Sequence, residues 1–167
     1  MSKNTCCFLG HRNVKDVKKL SSELKAKIID LIINNNVDTF LFGSKSNFID
    51  LCFEIVSDLR ATYPFVKRIY VRAEYPFINE DYKKYLLKKY EYTYFPDDII
   101  KSGKAVYIKR NQEMINKSQY CIFYFDKSYN SFSKKSGTEI ALDYAKRKKK
   151  NILFISNTSD NEKNGAM

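Results

Sequence analysis

The sequence is poor in the residues on which many familiar active sites depend. It contains no tryptophan, three prolines, five glycines and a single histidine, His11, among 167 residues. Its four cysteines lie inside apolar segments, and no Cys/His spacing resembles a zinc site. We therefore predict that no metal is bound, and that the cysteines are buried thiols of a protein in the reducing cytoplasm.

Long apolar segments are also missing. No stretch reaches the roughly 18 apolar residues of a membrane span, and the N-terminal residues lack the apolar segment after a basic start that marks a signal peptide. Hydrophobic residues still make up 44% of the chain and aromatic residues 15%, which argues against disorder. We expect one domain over residues 1–156, a flexible tail over 157–167 and no membrane partner.

Two phosphate-binding motifs are absent. The chain has neither the GxxxxGK[ST] of P-loop NTPases nor the complete GxGxxG of dinucleotide-dependent dehydrogenases. No spacing of Ser or Cys with His and an acid indicates a nucleophilic triad. These absences exclude P-loop NTPases and ordinary dehydrogenases, and we predict no resident cofactor.

Positive charge is in excess. Thirty lysines and arginines against nineteen aspartates and glutamates give a net charge of +11. Such a charge favours an anionic partner, which could be a nucleotide, a nucleic acid or an acidic surface. A Lys-, Asn- and Ile-rich genome would produce much of the same bias, so charge alone does not choose among them.

Short apolar strands alternate with amphipathic helices along most of the chain. We predict five strands, each followed or preceded by a helix, at 5–10, 37–42, 66–71, 120–125 and 151–155. Short connections and right-handed crossovers imply a mostly parallel sheet with strand order 3-2-1-4-5. The predicted fold class is α/β, a three-layer Rossmann-like open sheet.

The stretch between Pro76 and Lys109 interrupts this alternation and is dense in tyrosine. We predict a helix over Glu80–Tyr90 and a lone edge strand near either 92–95 or 105–108. We interpret the stretch as an insertion after the third strand, at the ligand end of the sheet, or as an irregular lid.

The strand ends supply the candidate ligand-binding residues. In an open α/β sheet, ligands bind beyond the carboxyl ends of the strands, where the strand order reverses. The residues delivered there are Gly10, His11, Arg12, Gly43, Ser44, Lys45, Arg72, Glu74 and Asp126. Ser136, Gly137 and Thr138 open the last helix, whose free N–H groups suit a phosphate, although Ser and Thr are also ordinary N-caps.

Each candidate has a chemical role in this interpretation. The glycines allow the backbone to approach a ligand closely, and Arg12, Lys45 and Arg72 pair with phosphates. Glu74 or Asp126 accepts hydrogen bonds from ribose hydroxyls, and a tyrosine stacks on the base.

Several segments, in order along the chain, resemble the SLOG superfamily of Rossmann-like nucleotide-binding domains, and in particular small stand-alone members with a Gly-His-Arg start. The matching segments are 6–12, 39–44, 68–74, 110–114 and 136–141. The resemblance adds Arg110 and Asn111 to the candidate ligand-binding residues. It also implies a homo-oligomer, since members of this superfamily commonly pair through helices.

The activities that the resemblance implies are of three kinds. LOG-type members are phosphoribohydrolases with a Gly-Gly-x-Gly-Thr turn, a following glutamate and an upstream arginine. Here the turn is Lys135-Ser136-Gly137-Thr138, without the double glycine, and Glu139 follows at once, with Asp143 as the other option. Other relatives sense NAD-derived or cyclic nucleotide signals in antiviral defence, and DprA-like relatives bind single-stranded DNA.

Three functional hypotheses follow. The first is a sensor or sequestering protein for a nucleotide-derived small molecule, in phage–bacterium defence or counter-defence. The second is an enzyme that hydrolyses an N-glycosidic bond, in which Glu139 or Glu74 activates water or stabilises developing positive charge on the ribose and Arg12 or Arg110 holds the phosphate. The third is single-stranded nucleic-acid binding by a basic, tyrosine-rich face.

Overall fold

The computed structural model describes residues 4–125 and 135–155. Within these ranges six strands form one sheet, and they are β1 (Thr5–Gly10), β2 (Thr39–Phe42), β3 (Lys67–Val71), β4 (Tyr92–Tyr94), β5 (Tyr120–Tyr124) and β6 (Asn151–Ile155). The α-helices of the same ranges are α1 (Val17–Asn34), α2 (Asn47–Leu59), α3 (Glu80–Lys89), α4 (Val106–Lys117) and α5 (Gly137–Arg147). A 3₁₀ segment, Asp97–Ala105, leads into α4.

The sheet confirms the predicted α/β class. Its strand order is β4-β3-β2-β1-β5-β6, and every pair of neighbours in the described ranges is parallel. The five core strands have the predicted order, and β4 extends the sheet beyond β3. The order reverses between β1 and β5, which is where an open sheet leaves room for a ligand.

Two apolar layers cover the two faces of the sheet. On one face Cys6 and Phe8 pack with the inward sides of α1 and α2. On the other face Cys7 and Leu9 pack with α4 and α5, including Met114. Adjacent Cys6 and Cys7 therefore enter opposite cores, as alternation along a strand requires, and all four cysteines are free and buried.

The tyrosine-rich stretch is more regular than we predicted. It forms α3 and then the edge strand β4, so the first of the two predicted edge-strand positions is confirmed. The second position, 105–108, is wrong, because Ala105 ends the 3₁₀ segment and Val106 begins α4. Val106, Arg110 and Met114 repeat at four-residue steps and are buried together, which is the pattern of a helix and not of a strand.

Helix α1 ends within a run of three asparagines, residues 34–36. Asn34 is its last residue, and Asn36 adopts a left-handed backbone conformation with φ 56°. Asparagine tolerates this conformation better than most residues, so the chain can turn into β2. No helix of the described ranges has the length and apolar character that crossing a membrane requires.

Candidate functional site

A cleft of about 840 Å³ lies at the carboxyl ends of the central strands. Its walls come from the turns after β1 and β2, the segment between β3 and α3, the first half of α4 and the start of α5. This volume falls within the range of small-molecule sites, roughly 300–1,000 Å³.

Most of the predicted ligand-binding residues line this one cleft. They are Gly10, His11, Arg12, Gly43, Ser44, Lys45, Glu74, Arg110, Asn111, Ser136, Gly137 and Thr138. Arg72 and Glu139 are not among the lining residues, and Asp126 lies outside the described residues. The fold thus brings together residues from separate strand ends, while their contact with a ligand stays a prediction.

Arg110 is the buried cation of the cleft. It is 7% exposed, its Nε donates a hydrogen bond to Asn111 Oδ1 at 3.2 Å, and its guanidinium lies 5.8 Å from the centre of the Tyr107 ring. Burial lowers the pKa of Arg110, and the neighbouring tyrosines act in the opposite direction. No carboxylate within residues 4–125 and 135–155 forms an ion pair with it.

An unpaired, desolvated charge is costly, on the order of several kcal/mol even after relaxation and water penetration. An anion that enters the cleft can remove this cost. Because a guanidinium presents its N–H groups as a planar fork, a phosphate or carboxylate is the matching ligand.

Gly43 explains how Arg110 reaches this position. A Cβ on Gly43 would collide with Met114 Sδ and would stand 2.8 Å from Arg110 Cδ. The missing side chain therefore lets α4 pack against the end of β2 and brings Arg110 beside the β2–α2 turn. We predicted that Gly43 admits a ligand to the backbone, whereas the protein itself fills that space.

Gly10 has a similar packing role, and Gly137 does not. A Cβ on Gly10 would stand 2.9 Å from both Phe48 Cδ1 and Tyr124 Cβ, so the close approach predicted for a ligand is made by these aromatic side chains. A Cβ on Gly137 would meet no atom of the described residues within 4 Å. Among these residues, Gly137 therefore leaves open space at the start of α5.

The turn after β1 is fixed by its neighbours. The backbone N–H of His11 donates to Tyr124 O at 3.1 Å, and the His11 ring stacks on Phe125 with 5.3 Å between centroids. Arg12 is exposed, and its carbonyl accepts from Asn47 N at 2.9 Å. His11 thus positions the turn, and the exposed Arg12 lines the cleft.

Arg72 has different partners from those we predicted. Its Nε and one terminal nitrogen donate to the two carboxylate oxygens of Glu74 at 2.8 and 3.0 Å, and it also donates to Asn79 O at 2.8 Å. Arg72 is 3% exposed, so its guanidinium is engaged by protein acceptors below the cleft wall. Its role is to hold Glu74, which does line the cleft.

A group of aromatic side chains lines the cleft beside α3 and α4, and the sequence did not single out its members. Lys45 Nζ lies 4.4 Å from the centre of the Tyr82 ring, and the Tyr82 hydroxyl donates to the Tyr70 hydroxyl at 3.4 Å. The rim adds Tyr107 and the highly exposed Phe77. The density of tyrosine in this stretch was the available signal, but it did not indicate which rings face the cleft.

The start of α5 is an ordinary capped helix N-terminus that opens on the cleft. Ser136 Oγ accepts a hydrogen bond from Glu139 N at 3.1 Å, while Ser136, Gly137 and Thr138 line the cleft. The Asp143 carboxylate accepts from Lys135 Nζ at 2.7 Å, and this hydrogen bond lowers the pKa of Asp143. Of the carboxylates predicted to act in catalysis, Glu74 alone among the described residues lines the cleft.

The described residues contain no group of three or more His, Cys, Asp or Glu side chains that could hold a metal ion. Comparison with protein families gives no match for this chain, and no curated protein matches it either.

Proposed function

We propose that this protein belongs to the SLOG superfamily and binds a phosphate-bearing, nucleotide-derived small molecule in the cleft, as a sensor or a sequestering protein. The observation that carries the proposal is Arg110, a buried cation that faces the cleft and has no carboxylate partner in the described ranges. The N-terminal turn of α5 adds backbone N–H groups on another side of the same cleft.

The other walls suit the remaining parts of a nucleotide. Glu74 is held by Arg72 and Asn79 and keeps carboxylate lone pairs that can accept from ribose hydroxyls. Tyr75, Phe77 and Tyr107 are 45%, 81% and 43% exposed, which supports stacking of a base on the rim.

The test is a thermal-shift panel together with mass spectrometry of small molecules released when the purified protein is denatured. Nucleotides are expected to raise the melting temperature, whereas the matching nucleosides, which lack phosphate, are not. Oligonucleotides serve as the control for the nucleic-acid hypothesis, whose binding would weaken steeply with added salt. The proposal fails if nucleosides stabilise as well as nucleotides, or if only oligonucleotides stabilise.

A second candidate function is hydrolysis of an N-glycosidic bond, and the position of Glu74 in the cleft favours it. A carboxylate beside the ribose can activate water or stabilise positive charge that develops on the sugar. Release of free base from nucleoside monophosphates or NAD, abolished by Glu74→Gln, would support this activity. Binding without base release at high protein concentration leaves the sensor or sequestering role.

A defence-related role and a homo-oligomer rest on the resemblance alone. Light scattering of the intact protein, with and without a stabilising nucleotide, tests the oligomer directly. A monomer under both conditions would remove that part of the proposal.

A further inference from the structure

The carboxylate of Glu74 is held in the cleft wall by three hydrogen bonds. Arg72 donates from Nε to Oε2 at 2.8 Å and from Nη2 to Oε1 at 3.0 Å. The backbone N–H of Asn79 donates to Oε1 at 3.0 Å. The Glu74 side chain is 15% exposed and that of Arg72 is 4% exposed, so the pair is anchored from the protein side and Glu74 alone reaches the cleft.

One acceptor position of this carboxylate is left for a ligand. The two oxygens of a carboxylate offer about four acceptor positions. Among the described residues, Oε1 receives two donors and Oε2 receives one. The remaining position on Oε2 can be filled by a donor that enters the cleft. Because an ionised carboxylate accepts hydrogen bonds and does not donate them, it selects a ligand group with an O–H or N–H.

The same network fixes Glu74 relative to helix α3. Arg72 also donates to Asn79 O at 2.8 Å, which closes the short loop between Glu74 and Asn79 at its base. The Asn79 side chain accepts from the backbone N–H groups of Asp81 and Tyr82 and so caps the start of α3. The acceptor is therefore prearranged, and a ligand that uses it does not have to order the side chain first.

Glu74 has a cation on one side and exposed rings on the other. Burial raises the pKa of Tyr82, and the nearby Glu74 carboxylate acts in the same direction. The Lys45 ammonium lies 4.4 Å from the centre of that Tyr82 ring and lines the cleft. Tyr75 and Phe77 follow Glu74 in the chain, line the cleft and are exposed. A group that donates to Glu74 therefore lies between an anion held by lysine and a ring stacked on the rim.

The ribose hydroxyls are the donors of a nucleotide that lie between its phosphate and its base. A phosphate cannot take their place at Glu74, because two negative charges side by side are strongly disfavoured. Loss of the hydroxyl leaves the fixed acceptor without its donor, and phosphorylation of the hydroxyl replaces the donor with a negative charge. Both changes are expected to weaken binding at this position.

We propose that Glu74, fixed by Arg72, determines the specificity of the cleft for a ribonucleotide whose 2′- or 3′-hydroxyl is free and donates to Glu74. The analogue in which that hydroxyl is missing or phosphorylated is rejected. Arg72 is a positioning residue in this account, since it acts on the ligand through Glu74. The inference rests on the proposed function, because it requires a nucleotide ligand, and it narrows the class of that ligand.

The test is isothermal titration calorimetry on the intact chain. The probes are the 5′-monophosphates of the common ribonucleosides, their 2′-deoxy and 3′-deoxy analogues, and their 2′,5′- and 3′,5′-bisphosphates, together with NAD and its 2′-phosphate, NADP. For the ribonucleotide that binds best, at least one deoxy analogue is expected to bind about 10-fold or more weakly, since a hydrogen bond to a charged group accounts for such a ratio. The analogue phosphorylated on that same hydroxyl is expected to bind at least as weakly.

A double variant assigns the discrimination to Glu74. Removing Glu74 alone would leave Arg72 buried without its partner, so Arg72→Met and Glu74→Met are combined, because replacing a buried ion pair as a whole is better tolerated. The double variant is expected to bind the ribonucleotide and its deoxy analogue equally. Glu91→Gln is the matched control, since Glu91 is also held by both ends of an arginine fork, that of Arg68, but does not line the cleft. It is expected to keep the wild-type ratio of affinities.

Two results would overturn the inference and leave the proposed function standing. In the first, the wild type binds the ribonucleotide and both of its deoxy analogues equally; this ligand series needs no variant, so it decides the question even where the double variant folds poorly. In the second, the double variant discriminates between these ligands as the wild type does. If no nucleotide of the panel binds, the inference and the proposed function fail together.

Discussion

The substitution Arg110→Met tests whether the cleft is built around a cation that no carboxylate of the described residues pairs with. Methionine keeps an unbranched stem of similar length, so the packing over Gly43 is largely preserved, while the buried charge is removed. Replacing a buried charge that has no partner with an apolar side chain removes the desolvation penalty of that charge, which is on the order of several kcal/mol for a fully buried ion. The contact with Tyr107 is lost and offsets about 0.5–1 kcal/mol of this gain.

We therefore expect Arg110→Met to stabilise the ligand-free protein by about 1 kcal/mol, since part of the guanidinium faces the open cleft. For a chain of this size, that free energy corresponds to a rise in melting temperature of about 2–4 °C. Nucleotide affinity is expected to fall about 10- to 100-fold, because a hydrogen bond to a charged group contributes about 1.5–3 kcal/mol.

Arg72→Met is the matched control. Arg72 is 3% exposed and Arg110 is 7% exposed, but Arg72 is paired with Glu74. Removing one member of a buried pair leaves an uncompensated charge and costs about 3 kcal/mol, or a loss of about 6–12 °C in melting temperature. Differential scanning fluorimetry and denaturant titration measure both variants. If Arg110→Met is as destabilising as Arg72→Met, or still binds nucleotide as the wild type does, Arg110 is a structural residue and the reasoning is refuted.

Two further predictions concern packing and pH. Gly10→Ala is expected to destabilise the protein by about 1–3 kcal/mol, because its Cβ would overlap Phe48 and Tyr124. Gly137→Ala serves as the control, because a Cβ there meets no atom of the described residues within 4 Å. An equal loss of stability in both variants would contradict the packing argument. Burial raises the pKa of Glu91, but hydrogen bonds and charge from Arg68 outweigh it and hold that pKa below 4.5. This carboxylate therefore contributes stability above pH 4.5 that is lost as the pH falls through its lowered folded-state pKa. Glu91→Gln is expected to lower the free energy of unfolding by about 1 kcal/mol at pH 7, as measured by urea unfolding. The difference from wild type is expected to shrink towards zero in acid. A difference that is constant with pH would show that the ion pair is not its cause.

Much of the fold follows from local patterns in the sequence. The run Cys6-Cys7-Phe8-Leu9 is typical of a short strand that is buried on both faces, and the structure buries it so. The order of the core strands follows from short connections and a fixed crossover hand. The start of α4 was missed because Val106 and Ile108 favour a strand locally, whereas the buried positions at four-residue steps depend on contacts with distant strands.

The candidate site shows a different limit. The sequence indicated which strand ends meet, but not what each glycine is for. Whether Gly43 admits a ligand or a helix depends on Met114 and Arg110, which are distant in the chain. The Arg72–Glu74 pair could have been predicted, because residues two apart on an extended chain share one side. The partners of Lys45 among the tyrosines of α3 could not, since they depend on tertiary packing.

The most direct test of the account is a calorimetric titration of the wild-type protein and of Arg110→Met with the same nucleotide. The best-binding ligand of the panel is used, with its matching nucleoside as the phosphate-free reference. The account predicts saturable binding to the wild type, binding at least about 10-fold weaker to Arg110→Met, and no detectable binding of the nucleoside to either protein. Equal affinity of both proteins for the nucleotide, or equal affinity of the wild type for nucleotide and nucleoside, would contradict it.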